Sequence, residues 1–136
     1  MIDPVTYMLT LIILCMVVNL GIALYGIFFR PSLVKKIIAV TILGDTANTF
    51  AIILGYRRWL SPEKPSIPPV LLNYANATKE ALAEFSARAV DPLPQALVLT
   101  AIVIGLAVTL FLVFLTLQIH RLYGTTDVRE IRKLRG

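Results

Sequence analysis

Three long apolar stretches dominate the pattern of polar and apolar positions along this chain. They cover residues 5–29, 33–56 and 93–120, and each exceeds the roughly 20 residues that a helix needs to cross about 30 Å of hydrocarbon. Lipid offers no hydrogen-bond partners to an open backbone, and these unbroken stretches are too long for barrel strands. The sequence therefore predicts an all-α membrane protein with three transmembrane helices, forming a single membrane unit over residues 1–136.

The segments between the apolar stretches carry signals for helix ends and for one further helix. Asp91-Pro92 is typical of a helix start, because an aspartate can cap free N–H groups and proline fits the first helical position. The long connection, residues 57–92, begins with a proline-rich, extended part and continues into residues 76–89, whose pattern predicts a short helix with Asn76 as its cap. Residues 121–136 form a tail.

The distribution of charge predicts the orientation in the membrane. The short first connection and the tail are strongly basic, whereas the long connection mixes basic residues with Glu63, Glu80, Glu84 and Asp91. Because Lys and Arg accumulate on the cytoplasmic side of membranes, we expect the N-terminus outside and the C-terminus in the cytoplasm. The connection 57–92 is then an outer loop, and the tail 121–136 is cytoplasmic.

Composition supports the membrane assignment and excludes several other classes of protein. The chain is 57% hydrophobic and 15% charged, whereas soluble domains are about 45–50% apolar and about 25% charged. A soluble enzyme, a disordered chain and a disulfide scaffold are therefore excluded. The net charge of +5 comes from residues that flank apolar stretches, which indicates membrane orientation rather than nucleic-acid binding. The first stretch lacks a basic leader and a small-residue cleavage site, so we expect it to be retained.

The sequence lacks the motifs of an autonomous enzyme. It contains no glycine-rich phosphate loop, no metal-spaced Cys/His cluster and no nucleophile paired with a base. Its single histidine, His120, lies at a membrane boundary, where a polar interfacial residue is common. We therefore expect no catalytic residue, no metal site, no cofactor and no enzymatic activity of the chain by itself.

Asp45 is the ionisable residue that stands well inside an apolar stretch. An acid at that depth costs about 2.5–3.5 kcal/mol on insertion scales, so a polar neighbour, water or a proton must offset the cost. At 3.6 residues per turn, Thr41 and Thr49 lie one turn away, and Asn48 lies on the same side. These four residues form a candidate proton or cation path. A purely structural hydrogen bond from Asp45 remains an equal alternative.

Small residues form stripes on the same helices. Ala47, Ala51 and Gly55 recur at four-residue spacing on the second stretch, and Ala101, Gly105 and Thr109 recur on the third. Stripes of this kind let another helix approach closely, so these six residues are candidates for helix packing. A similar stripe on one face of the first stretch consists of Cys15, Asn19, Ala23 and Gly26. Three helices with one acid are too few for a complete transporter, which normally needs paired repeats. The residues thus predict a small membrane subunit within a larger ion-handling assembly.

Three segments carry a resemblance to a known family: DPLPQALVLTAIVIGLAVT at 91–109, YGTTD at 123–127 and KKIIAVTILGDTANTF at 35–50. They resemble the C-type subunits of the multisubunit Na+/H+ antiporters (the Mrp or Mnh type), which are related to the K-type subunit of respiratory complex I. The resemblance implies an accessory subunit of a prokaryotic cell membrane. It would pack among antiporter-type subunits in a hetero-oligomer and help couple proton and sodium transport.

The resemblance leaves the assembly open. Similar subunits occur in archaeal membrane-bound hydrogenases and sulfur-reducing complexes, so hydrogenase or sulfur-reductase subunits are alternative partners. The residues leave two further alternatives for the function of the chain. One is a purely structural spacer, and the other is a regulatory peptide that uses its outer helix. The membrane glutamates of the complex I relative fall on Thr41 and Gly105 here. Neither residue can carry a proton as an acid does, and Asp45 is the local substitute.

Overall fold

The computed structural model describes residues 4–56, 66–72 and 74–134, and in them the chain is helical with isolated bridges instead of strands. Three of its helices have the length and hydropathy to cross a membrane. The helices are α1 (Pro4–Phe29), α2 (Leu33–Gly55), α3 (Lys79–Arg88), α4 (Pro92–Tyr123) and α5 (Val128–Ile131), with 3₁₀ turns at Tyr74–Asn76 and Arg132–Leu134. The predicted all-α fold with three membrane helices is confirmed. The proline-rich part of the long connection lies partly outside the described residues, because it includes Pro62 and Pro65.

Helix α4 continues past its predicted end at residue 120. Gly124, with a φ of 71°, ends it, and the Gly124 N–H donates to the His120 carbonyl at 2.8 Å. A left-handed glycine is a common helix terminator, and nothing before it in the sequence is incompatible with a helix. With 32 residues, α4 is about 48 Å long, so it extends beyond the roughly 30 Å hydrocarbon layer.

The prediction for the short helix was wrong about its first turn. Helix α3 begins at Lys79 instead of residue 76, and its cap is Thr78, whose hydroxyl oxygen accepts a hydrogen bond from the Ala81 N–H at 3.3 Å. Threonine and asparagine both serve as caps, and the sequence pattern does not decide between two caps that stand two residues apart. Arg88 in the last turn forms an ion pair with Glu84 at 3.0 Å.

Residues 4–49 and 101–134 belong to one compact unit, in which α1 and α2 pack through their smallest side chains. Ala23 is fully buried, and a Cβ added to Gly26 would lie 2.6 Å from the Ala39 Cβ. That distance is much shorter than the van der Waals contact distance between two carbon atoms. The two helices can therefore come this close only because Gly26 has no side chain. The Lys36 ammonium donates to the Ile27 carbonyl, where a cation offsets the negative end of α1.

A short backbone pairing ties the first connection to the C-terminal segment. The Leu33 N–H donates to the Thr126 carbonyl, and the Val128 N–H donates to the Pro31 carbonyl, each at 3.0 Å. We call this antiparallel pairing of residues 31–33 and 126–128 the basal clasp. Asp127 at its centre also caps α5, since its carboxylate accepts from the Arg129 N–H at 2.8 Å. The clasp places the α1–α2 connection and the end of α4 at the same end of the bundle.

The second unit comprises the described part of residues 50–100. Ile67 pairs with the end of α3: its N–H donates to the Arg88 carbonyl, and its carbonyl accepts from the Val90 N–H, each at 3.1 Å. The Asp91 carboxylate accepts from the Leu93 N–H at 3.0 Å, as expected for the cap of α4. Gly55 contacts this helix start closely, because an added Cβ would lie 2.6 Å from the Pro94 Cγ.

Few side chains in the described residues are buried, and those few are small. They are Ala23, Ala39, Val90, Val98 and Thr116. Large apolar side chains are exposed along most of α1 and α4. A water-soluble monomer rarely exposes so much contiguous apolar surface, so lipid and neighbouring proteins must cover these faces.

We predict that Gly26→Ala destabilises the chain by about 1–3 kcal/mol, because the new methyl group overlaps Ala39 and the helices must separate. Gly21→Ala is the matched control on the same helix, since its Cβ would meet nothing within 4 Å. It should change stability by less than about 1 kcal/mol, in the stabilising direction. SDS titration followed by circular dichroism measures both. The double variant Gly26→Ala/Ala39→Gly should recover stability, and equal effects of the two alanine substitutions would contradict the close contact.

Candidate functional site

Asp45 lies near the middle of α2. At 1.5 Å per residue it is about 18 Å along the axis from Leu33 and about 15 Å from Gly55. Its side chain is exposed in the isolated chain, and among the described residues no hydrogen bond or ion pair reaches its carboxylate. An uncompensated acid at this depth is costly, so its surroundings decide what it can do.

Two grooves meet at Asp45. The α1–α2 groove, of about 440 Å³, brings Asp45 together with Cys15 and Asn19 of α1 and with Thr46 and Thr49 of α2. The central α2–α4 groove, of about 590 Å³, is lined by Asp45 and by Thr41, Gly44, Asn48, Gly105 and Thr109, among others. Asp45 therefore stands on the ridge of α2 between the two grooves.

The residues predicted as one polar stripe are divided between these grooves. Thr41 and Asn48 face the central α2–α4 groove, whereas Thr49 faces the α1–α2 groove. Thr46 and Asn19 were not among the predicted path residues, although both line a groove with Asp45. The presence of Asn19 in the middle of an apolar stretch was the signal that could have identified it.

The threonine hydroxyls of this site donate to their own helix. Thr41 donates to the Ile37 carbonyl at 3.0 Å, Thr46 to the Ile42 carbonyl at 2.7 Å, and Thr49 to the Asp45 carbonyl at 2.8 Å. Each hydroxyl proton is thereby used, while a lone pair on each oxygen stays free. These hydroxyls can accept hydrogen bonds from water or coordinate a cation, but in this arrangement they do not donate to the Asp45 carboxylate.

The predicted packing residues have different surroundings. Ala47, Ala101, Gly105 and Thr109 line the central α2–α4 groove, and a Cβ added to Gly105 would meet nothing within 4 Å. Gly55 is close to Pro94 within the second unit, where Ala51 is half-buried. Gly26, which forms the tight contact between α1 and α2, belongs to the small-residue stripe of the first stretch, whereas its partner Ala39 was not predicted to pack. Thr41 and Gly105, onto which the resemblance places the membrane glutamates of the complex I relative, share the central α2–α4 groove with Asp45.

The site offers no group of metal ligands beyond this one acid. Among the described residues no three His, Cys, Asp or Glu side chains are grouped so that they could hold a metal ion. Around Asp45 the structure provides amide groups, hydroxyl oxygens and open space. This arrangement can admit water, a proton or a small cation in transit.

Comparisons with known proteins agree with this architecture. The family model described as NADH-ubiquinone/plastoquinone oxidoreductase chain 4L matches residues 8–136. The C1 subunit of a Na(+)/H(+) antiporter from Staphylococcus saprophyticus subsp. saprophyticus is 32% identical over 78% of this chain and 77% of its own length. An uncharacterized protein of Methanocaldococcus jannaschii is 34% identical over 82% of this chain and 78% of its own length.

A solved structure shares the fold. It is a chain in the structure of the membrane-bound sulfane sulfur reductase, an archaeal respiratory membrane complex, with a TM-score of 0.67 and 31% identity, covering 88% of this chain and 94% of that chain. These similarities confirm the resemblance inferred from the residue segments. With its three long apolar helices, the chain is a multi-pass protein of prokaryotic membranes. It belongs to the family of NADH-ubiquinone/plastoquinone oxidoreductase chain 4L.

Proposed function

We propose that this chain is an accessory, antiporter-type subunit of a multisubunit membrane complex and helps to couple proton and sodium translocation. The matches to the C1 subunit of an antiporter and to a chain of a respiratory membrane complex, each over more than three quarters of this chain, support the proposal. The exposed apolar faces of α1 and α4 supply surface for neighbouring subunits. The chain takes part in no redox chemistry itself; electron-transfer subunits, where present, supply that step.

Within this role, Asp45 is the position that passes a proton or cation. The observation that carries this assignment is its place between two grooves, each of which holds polar side chains among largely apolar ones. A carboxyl group there can take up a proton or cation on one side of α2 and release it on the other. Thr41, Asn48 and Thr49 provide oxygen and amide groups along the grooves.

The solved relative supports an alternative assembly, a redox-driven respiratory complex. That relative is a chain of a sulfane sulfur reductase complex, and the match covers 94% of its length. A redox-driven complex with hydrogenase or sulfur-reductase subunits is therefore the second candidate, next to a stand-alone Na+/H+ antiporter. Iron–sulfur proteins that copurify with the tagged chain would identify the redox-driven complex. Antiporter subunits alone would identify the stand-alone antiporter.

We expect Asp45→Asn to slow ion translocation by the purified, reconstituted complex by about tenfold, equal to about 1.4 kcal/mol in barrier height. Asparagine preserves the size of the side chain but cannot carry a proton or a negative charge. Asp45→Glu should retain part of the activity. The control is Asp91→Asn, the same change at a helix cap outside the apolar stretch, where asparagine caps equally well. Wild-type rates with an unchanged pH profile in Asp45→Asn would leave Asp45 with a structural role only.

The central α2–α4 groove is predicted to receive a helix of a neighbouring subunit at its small residues. A Cβ added at Gly105 meets nothing within 4 Å, so the side chain of Gly105→Leu starts in open space and would block such a helix. We expect normal amounts of the variant in membranes and loss of copurifying subunits. Val103→Phe, about 200° away around α4 and outside the described grooves, should preserve assembly. Intact complexes with Gly105→Leu would show that no helix packs there.

The proposed orientation is N-terminus outside and C-terminus cytoplasmic. A chain with Cys15→Ser, which removes the single native cysteine, allows one new cysteine to report on each side. Lys79 and Lys133 are both exposed. Lys79→Cys should react with a membrane-impermeant maleimide in intact cells, and Lys133→Cys only after permeabilisation. The reverse labelling pattern would invert the topology.

A further inference from the structure

A third groove lies next to the basal clasp. This basal α2–α4 groove, of about 370 Å³, is lined by Val34, Ile38, Thr41, Val113, Thr116 and Leu117, among others. It follows α2 from Val34 to Thr41 and α4 from Leu117 back to Thr109, a length of about 12 Å at 1.5 Å per residue. One end of the groove is at the clasp, where α2 begins and α4 approaches its last turns.

The walls of the basal α2–α4 groove are effectively hydrocarbon. Among its described lining residues the polar groups are threonine hydroxyls, and two of them are already used. Thr41 donates to the Ile37 carbonyl at 3.0 Å, and the buried Thr116 donates to the Leu112 carbonyl at 2.9 Å. Water needs two to four polar partners to be held in a cavity, so this groove suits an apolar occupant.

The dimensions of the groove suit a lipid tail. Its space of about 370 Å³ extends over about 12 Å along the two helices. A single extended hydrocarbon chain fits along it.

Exposed cations surround the clasp end of this groove. Arg121 lies one helical turn beyond Leu117, and Lys35 directly follows Val34; both side chains are exposed. Arg30 precedes Pro31, and Arg129 follows Val128, whose N–H donates to the Pro31 carbonyl. In the antiparallel pairing the two arginines therefore stand opposite each other. In the described part of the chain no ion pair neutralises any of these four residues, although the Arg30 guanidinium lies over the Tyr25 ring at 5.3 Å.

We propose that this end of the chain binds an anionic phospholipid. One acyl chain occupies the basal α2–α4 groove, and the phosphodiester contacts Lys35 and Arg121, while Arg30 and Arg129 add to the positive potential. Like charges at opposed positions are unfavourable, and a phosphate adds an anion there to the carboxylates of Asp127 and Glu130 in the same segment. The groove also ends where α2 and α4 leave the apolar region, which is the depth of the lipid headgroups.

Photocrosslinking in membranes that contain the full chain in its native assembly tests this proposal. The probes are phosphatidylglycerol and phosphatidylcholine that carry the same diazirine-labelled acyl chain. We expect phosphatidylglycerol to label residues of the basal α2–α4 groove preferentially. Lys35→Gln/Arg121→Gln should weaken this labelling roughly thirtyfold, since each interfacial cation contributes about 1 kcal/mol to the binding of anionic lipid. Arg132→Gln/Lys133→Gln removes the same charge from the C-terminal segment and should label almost as the wild type.

A second pair of variants tests the acyl-chain position without any change of charge. Val113→Trp fills the groove and should abolish the labelling, whereas Val103→Trp makes the same change on α4 outside the described grooves and should preserve it. Labelling is normalised to the amount of chain in the membrane. Equal labelling by both lipids, an undiminished signal in Val113→Trp, or labels that map outside the groove would overturn the proposal.

Discussion

Close approach of helix backbones, at positions where the side chains are smallest, holds this chain together. In lipid, large apolar side chains gain little by packing against each other, because the surrounding acyl chains are equally apolar. The tight contacts accordingly lie at Gly26 against Ala39 and at Gly55 against Pro94. Almost every large apolar side chain in the described residues is left outside these contacts. A chain built in this way keeps its outer faces free for lipid and for neighbouring subunits, as expected of a member of a multisubunit complex.

The same contact determines where the polar site opens. Gly26 and Ala39 bring α1 and α2 together near the clasp, and the α1–α2 groove begins farther along, with Asn19 about two turns from Gly26. Asp45 thereby stands beside two grooves, one toward α1 and one toward α4. Packing at one end of the helix pair thus leaves open space next to an acid in the middle of α2. The cost of its charge falls when water or polar groups fill the grooves.

The sequence predicted the helices well because hydropathy, proline and aspartate report local properties. The starts at Pro92 and Leu33 agree with those signals to within a residue, and α4 was predicted too short because Gly124, the actual terminator, was not weighed. The contacts between helices could not be predicted in the same way. Small residues at four-residue spacing occur on every long helix, and the pattern gave no means to decide that Gly26 touches another backbone while Gly105 has open space around it. Helix rotation and crossing decide this, and one sequence encodes neither in a local pattern.

The division of the polar stripe bears on what Asp45 does. A structural hydrogen bond needs one donor on one side of the carboxylate, and the neighbouring threonines do not provide it, since their protons are used by backbone carbonyls. The amide donors near Asp45 lie apart, Asn19 in the α1–α2 groove and Asn48 in the central α2–α4 groove. A group that can be approached from two sides by polar atoms can accept a proton or cation from one side and release it to the other. That arrangement favours ion transfer at Asp45 rather than a fixed structural hydrogen bond. Neighbouring subunits or water must complete the path beyond either groove.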